Sequence, residues 1–159
     1  MLPAIDAADA GALANAVRQC RLNQPLLKAL AEIYACADAE VAASGAVCLG
    51  GGGCCKFDLA GHRLYLSTAE MALLTTLAPV SPSQAQRLRC PYQLGPRCAA
   101  RHVRPLGCRV FFCGLFSQDL TPEVYEYFHR MIRILHQTHC VLYTYTEITS
   151  SIKDVELLR

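Results

Sequence analysis

Seven of the ten cysteines in this chain of 159 residues fall within one stretch, between residues 48 and 113. They are Cys48, Cys54, Cys55, Cys90, Cys98, Cys108 and Cys113. Four consecutive glycines at 50–53 allow tight backbone turns and leave amide groups free to face sulfur or an anion. Thiolate sulfur is a soft, anionic ligand, and four thiolates complete a tetrahedral zinc site or hold an iron–sulfur cluster. The spacing therefore predicts a metal or iron–sulfur centre in this stretch.

The adjacent pair Cys54 and Cys55 bears on the type of centre. Side chains of neighbouring residues diverge, so the pair does not readily chelate one ion. The two thiolates suit two irons of one cluster, or one binds while the other packs against protein. We therefore favour one iron–sulfur cluster, of the 4Fe–4S type, with zinc as the alternative. Two metal centres, or one cluster with an iron left open to a small molecule, are also consistent with seven cysteines.

The residues around Cys108 carry a resemblance to a known family. Residues 104–111 read Arg-Pro-Leu-Gly-Cys-Arg-Val-Phe. This run matches the Arg-Pro-x-x-Cys-Arg-x-Phe signature of the YkgJ-type cysteine-cluster family, a zinc- or iron-chelating domain with a C-x2-C-x2-C-C opening. Cys54-Cys55 resembles the paired end of that opening, and Cys90 and Cys98 resemble the two intervening cysteines. The resemblance implies a set of metal ligands more firmly than a reaction.

The chain departs from the family pattern at the opening. Glycines stand where the middle cysteine is expected, and Cys48 lies further upstream. Cys113 is an addition that could replace the missing ligand. The resemblance covers about residues 46–113, and the flanking helices match no family pattern.

A run without acidic residues contains the last four of these cysteines. No aspartate or glutamate occurs between Glu70 and Asp119, whereas six arginines do. They are Arg87, Arg89, Arg97, Arg101, Arg104 and Arg109. A guanidinium group is permanently charged and donates several hydrogen bonds, so it can offset an anionic thiolate–metal assembly. We expect Arg104 and Arg109 to support the cluster, and no nucleic-acid partner, because aromatic side chains are not interleaved with the cations.

The overall composition narrows the class of protein. Hydrophobic residues make up 53% of the chain and charged residues 18%, which predicts a folded domain. No apolar run approaches the ~20 residues that a membrane span needs, and residues 1–6 lack the cationic start of a signal peptide. We therefore expect a cytoplasmic protein with no membrane partner. In that compartment cysteines serve as thiols or ligands, with disulfide pairing as the alternative.

Residues 1–159 are predicted to form a single domain of the mainly α, α+β class. We expect about four helices around an irregular cysteine-ligated metal or cluster centre, with a small β-hairpin. A helical part spans residues 4–43, the cysteine-cluster region spans 46–113, and a C-terminal helix and tail span 121–159.

Local signals place the elements within these parts. Apolar periodicity predicts one helix over 4–22 and, after Pro25, a second to about Ala43, with Cys20 and Cys36 on buried faces. A capping box, Ser67-Thr68-Ala69-Glu70, predicts the third helix, and Thr121-Pro122 begins the fourth.

The remaining segments carry weaker signals. A hairpin is expected over residues 56–66 around Ala60-Gly61, and an irregular loop from 90 to 114. Residues 141–146 are ambiguous between strand and helix, and residues 150–159 are expected to form a frayed tail.

Three functions are consistent with these residues. The first is an iron–sulfur protein that works in electron transfer, redox sensing or cluster-dependent chemistry and meets a redox-partner protein. The second is a structural zinc module that presents its helices to another protein. The third is an enzyme whose open iron site binds a small molecule. No Ser-His-Asp order, Walker loop, Rossmann fingerprint or deaminase signature is present, so no catalytic residue is assigned.

Overall fold

Six α-helices and two small antiparallel sheets make up the part of the chain that the computed structural model describes. The described residues are 7–46, 48, 53–57, 61–78, 89–111 and 121–156. The helices are α1 (Ala7–Leu22), α2 (Gln24–Ala43), α3 (Thr68–Leu77), α4 (Leu106–Val110), α5 (Thr121–Thr138) and α6 (Ile148–Glu156). The strands are β1 (Tyr65–Ser67), β2 (Gln93–Leu94), β3 (Arg97–Cys98) and β4 (Tyr145–Glu147). The mainly helical α+β class is confirmed, with more helices than the four expected.

Helices α1 and α2 form where local signals predicted them, and residues 4–6 lie outside the described residues. The Asn23 side chain accepts a hydrogen bond from the Leu26 amide at 3.0 Å, and Pro25 occupies the first turn of α2. Cys20 is fully buried, as predicted. The prediction for Cys36 is wrong, because this residue lies beside the buried stripe of α2 and is exposed.

Strand β1 pairs with β4, an antiparallel partner from the far end of the chain. Leu66 lies opposite Thr146, and the Ile148 amide donates a hydrogen bond to the Leu64 carbonyl at 2.9 Å. The hairpin predicted over 56–66 is therefore wrong: Phe57 is helical, and residues 58–60 lie outside the described part of the chain. The strand that pairs with β1 comes from the far end of the chain, which no local pattern indicates.

The loop from 90 to 114 is more regular than predicted in its described part. Strands β2 and β3 form a hairpin whose turn includes Gly95 at φ +57°, a conformation that favours glycine. A 3₁₀ turn at Arg101–Val103 and helix α4 follow it. This hairpin replaces the one expected further upstream.

The C-terminal segment is a helix rather than a frayed tail. Ile148, Ile152 and Val155 are buried at helical spacing on α6. The Glu147 carboxylate accepts hydrogen bonds from the Ser150 amide at 3.0 Å and the Thr149 hydroxyl at 2.6 Å. This short-range capping, together with the buried face, orders the segment up to residue 156.

The core joins all six helices. Helix α1 packs against α3 and α6, while α2 packs against α4 and α5. Buried apolar residues from each helix form one continuous cluster, and Cys48, Cys90, Cys98 and Cys108 pack against its edge. Within the described residues, no helix has the length and apolar character needed to cross a membrane.

His136 on α5 gives the fold a predicted pH dependence. It is 1% exposed, and its Nε2 atom accepts a hydrogen bond from the Ala69 amide at 3.3 Å. Burial lowers the pKa of His136. The unfolded chain therefore binds this proton more readily, so the stability that neutral His136 contributes is present above about pH 6.5 and falls as the pH drops below it.

Urea unfolding at about pH 7.5 and about pH 5 measures this effect. We expect the His136→Gln variant, whose amide oxygen can still accept from Ala69, to lose less stability between the two pH values than the original chain. An equal loss in both proteins would contradict the assignment to His136.

Candidate metal centre

Six of the seven predicted cysteine ligands line one cavity of about 40 Å³. They are Cys48, Cys54, Cys55, Cys90, Cys98 and Cys108. The seventh, Cys113, lies outside the described residues. The other described residues that line it are Leu64, Leu74, Tyr92, Ala100, Arg101, Arg104, Pro105 and Ile148, and none of these is acidic. The fold thus gathers cysteines that are far apart in the sequence, and leaves Cys20, Cys36 and Cys140 elsewhere.

Short elements position these cysteines. Cys54 and Cys55 lie in a 3₁₀ turn at Gly53–Cys55, and the Cys55 carbonyl accepts a hydrogen bond from the Cys90 amide at 2.9 Å. Cys98 ends strand β3, and Cys108 lies in helix α4. This backbone hydrogen bond joins the Cys55 and Cys90 segments, and no disulfide does so, because Cys55, Cys90 and the other cysteines of the described residues are free thiols.

Helix α4 lies close to the wall formed by Leu64. A Cβ atom on Gly107 would lie 3.1 Å from Leu64 Cδ1, which is tighter than ordinary van der Waals contact. Glycine at this position therefore allows the segment that carries Cys108 to approach β1.

The Glu70 carboxylate accepts backbone hydrogen bonds at the start of α3 and at the start of α4. Its carboxylate accepts from the Ser67 amide at 2.8 Å, completing the predicted capping box. Its other oxygen accepts from the Leu106 amide at 2.8 Å and from the Tyr34 hydroxyl at 3.3 Å. Sequence reasoning found the first role and missed the second, which joins α2, α3 and the Cys108 segment.

Replacing Glu70 by glutamine tests this buried junction. The amide group presents one acceptor oxygen instead of two, so at least one of the three donors loses its partner. We expect a loss of about 1–3 kcal/mol in the free energy of unfolding, measured by urea titration. Glu126→Gln, an exposed change on α5, is the control and should shift stability by less than about 0.5 kcal/mol. Equal stability of the two variants would contradict the role assigned to Glu70.

The thiols of the cavity strongly influence one another. Burial and the nearby Cys54, Cys55 and Cys98 raise the pKa of Cys108 far above its ordinary value. A hydrogen bond with Cys55, followed by burial, raises the pKa of Cys54. A hydrogen bond with Cys54 lowers the pKa of Cys55, but a hydrogen bond with Cys90 and burial outweigh it and raise that pKa to about 12. Thiolates at these positions would repel one another, and a cationic group among them would offset the repulsion.

Two arginines also line the cavity. Arg101 Nη1 lies 3.7 Å from Cys48 Sγ and donates to it. The Nε atom of Arg104 is buried and has no hydrogen-bond partner within the described residues. The positive charge of Arg104 lowers the pKa of Cys108, whereas burial raises it. Sequence reasoning named Arg104 and missed Arg101, whose only signal was its place in the run without acidic residues.

Arg109 lies at a different place from Arg104. Its guanidinium group donates to Asp38 on α2 at 2.5 Å and to the carbonyls of His102 and Arg104 at 2.8 Å. It also lies 4.2 Å from the ring centroid of Tyr34. Arg109 does not line the cavity. Arg109 therefore holds residues 102–104, which precede α4, against helix α2. Its support for the centre is indirect.

The described sulfurs do not form a site for one ion as they stand. Within the ranges that the structure describes, no three cysteine, histidine or acidic side chains are arranged so that they could hold a single metal ion. His62 is near, but its Nε2 atom contacts the Cys54 carbonyl at 2.8 Å and the residue does not line the cavity.

Comparison of the chain with protein-family models, with curated proteins and with solved structures gave no match. The resemblance to the YkgJ-type cysteine-cluster family stays a prediction.

Proposed function

We propose that this chain is an iron–sulfur protein that holds one cluster, of the 4Fe–4S type, in the cysteine cavity. It would work in electron transfer, redox sensing or cluster-dependent chemistry. The observation that carries the proposal is the meeting of six cysteine side chains and two guanidinium groups around one cavity, with no acidic side chain among its described lining residues. One cluster requires four thiolates, so this set contains enough ligands even without Cys113.

The chemistry of the donors supports a cluster. The metal-ligating side chains among the described residues of the cavity are six cysteines, and soft thiolate donors favour iron–sulfur clusters and zinc over hard cations. In a cluster each cysteine binds its own iron, so the ligands border the group instead of converging on one point. The family resemblance carried by residues 104–111 supports the same class of ligand.

The residues around the cavity would tune such a group. When bound, the cluster supplies a one-electron redox couple whose potential depends on burial and on hydrogen bonds to sulfur. Arg101 donates to Cys48 sulfur, and Arg104 places a positive charge beside Cys108. With a cluster bound, both arginines would stabilise its more negative, reduced state and so raise the potential. The apolar walls, including Leu64, Leu74 and Ile148, limit the access of water.

Anaerobic purification followed by reconstitution with iron and sulfide tests the proposal. We expect a coloured protein with broad visible absorption, near-stoichiometric iron and sulfide, and a bleaching of the colour on reduction. A colourless protein with stoichiometric zinc would reject the cluster in favour of the structural zinc module, because zinc has no accessible redox couple. A fully folded chain that takes up neither metal would reject both.

A further inference from the structure

Cys55 and Cys90 are far apart in the sequence and joined directly in the cavity. The Cys90 amide donates a hydrogen bond to the Cys55 carbonyl at 2.9 Å, and the two thiols are hydrogen-bonded as well. With standard bond lengths, the backbone hydrogen bond keeps the two Cα atoms within about 7 Å, the separation beyond which a disulfide requires the backbone to move. The two free thiols therefore meet the distance requirement for a disulfide in the folded chain.

The adjacent Cys54 is a poorer disulfide partner for Cys55, although their thiols are also hydrogen-bonded. Consecutive Cα atoms lie about 3.8 Å apart across a trans peptide bond, which is less than the ~4.4 Å of the shortest usual disulfides. Both residues also belong to one 3₁₀ turn, whose backbone such a bond would distort. The geometry therefore favours Cys90 over Cys54 as the partner of Cys55.

The two residues differ in their access to solvent. Cys90 is partly exposed, whereas Cys55 is only 8% exposed. A small oxidant from solvent therefore reaches Cys90 more readily, and Cys55 provides a second thiol directly beside it. Cysteines that sense oxidants commonly have this arrangement, in which an accessible thiol lies next to a resolving one.

We propose that Cys90 and Cys55 form a peroxide-responsive disulfide that blocks cluster uptake. Hydrogen peroxide oxidises the Cys90 thiol to a sulfenic acid and is itself reduced, with release of one water. The Cys55 thiol then attacks the sulfenic sulfur, so the S–S bond forms and a second water leaves. The effect on the cluster rests on the proposed function, since the bond occupies two of the six cysteines around the cavity. A dithiol reverses the step by thiol–disulfide exchange.

Treatment of the full, metal-free chain with hydrogen peroxide, followed by peptide mass spectrometry, tests the inference. We expect a crosslink between Cys55 and Cys90 that dithiothreitol removes. Cys55→Ser takes away the resolving thiol, so sulfenic acid at Cys90, labelled with dimedone, should increase at least about fivefold over the original chain. The matched control is Cys98→Ser, since Cys98 is another partly exposed cysteine of the cavity, and this variant should still form the Cys55–Cys90 crosslink.

Iron uptake, measured during reconstitution without added thiol, reports the effect on the cluster. We expect the crosslinked chain to take up less than about half the iron of the reduced chain, and dithiothreitol to restore the uptake. Crosslinks between other cysteines in place of this pair, or equal iron uptake by the crosslinked and reduced chains, would overturn the inference. A reduced chain that takes up no iron would refute the proposed function and with it the effect on the cluster, whereas the crosslink map would still decide whether the disulfide forms.

Discussion

Cys108→Ser should lose most of its bound iron and unfold at a lower urea concentration than the original chain. Cys108 lines the cavity from α4, and its sulfur lies among those of Cys54, Cys55 and Cys98. Serine oxygen is a poor ligand for iron–sulfur clusters. Because the free energy of metal binding adds to the free energy of folding, loss of the ligand lowers both quantities together. Cys55→Ser should behave in the same way, and iron per chain and the urea midpoint of anaerobic protein measure the two effects.

Cysteines away from the cavity provide the controls. Cys36→Ser and Cys140→Ser change exposed residues and should leave iron content and stability unchanged. Cys20→Ser should retain its iron while losing about 1–3 kcal/mol of stability, because it places a hydroxyl group at a fully buried position. Full iron retention in both Cys108→Ser and Cys55→Ser would contradict the ligand assignment.

Arg109→Met should destabilise the protein by about 1–3 kcal/mol, and most of this comes from lost hydrogen bonds, because Asp38 in the ion pair is 48% exposed and water solvates its charge once Arg109 is gone. The change also leaves the carbonyls of His102 and Arg104 without the donors that hold them. These carbonyls belong to the segment that leads into Cys108, so iron content should fall as well. Urea unfolding and iron analysis measure the two losses.

The planar guanidinium group, and not charge alone, is expected to matter at this position. Arg109→Lys keeps the charge but offers one compact donor group in place of the fork that reaches Asp38 and two carbonyls, so it should recover only part of the lost stability. Arg130→Met, at an exposed position of α5, should change stability by less than about 0.5 kcal/mol. Full recovery by lysine would show that the hydrogen-bond geometry assigned to Arg109 is wrong.

Local signals were sufficient to place the starts of two helices. Pro25 indicated the first turn of α2, and the Ser67–Glu70 capping box indicated the start of α3, because each signal lies within one helical turn. Cysteine spacing singled out six cysteines that line one cavity, since many cysteines beside glycine and proline are typical of metal ligands. Their ligation of a metal stays a prediction, and Cys113 lies outside the described residues.

Contacts between distant segments could not be predicted in this way. Strand β1 is three residues long, and its partner β4 belongs to a run whose pattern was ambiguous. Arg109 was expected at the cluster because it adjoins Cys108, yet its partners Asp38 and Tyr34 lie on α2. The second role of Glu70 depends on Leu106, which approaches it only in the folded chain. In each case the deciding partner is close in space and far away in sequence.

The pairing of β1 with β4 has a consequence for the order of events during synthesis. Ile148, which directly follows β4, forms part of the cavity wall and bonds to Leu64, which precedes β1. All the described cysteines of the cavity therefore leave the ribosome before the wall that encloses them can close. A cluster delivered to the nascent chain would therefore reach cysteines that are still exposed to solvent. Ile148 would cover that side of the cavity only later, when β4 pairs with β1.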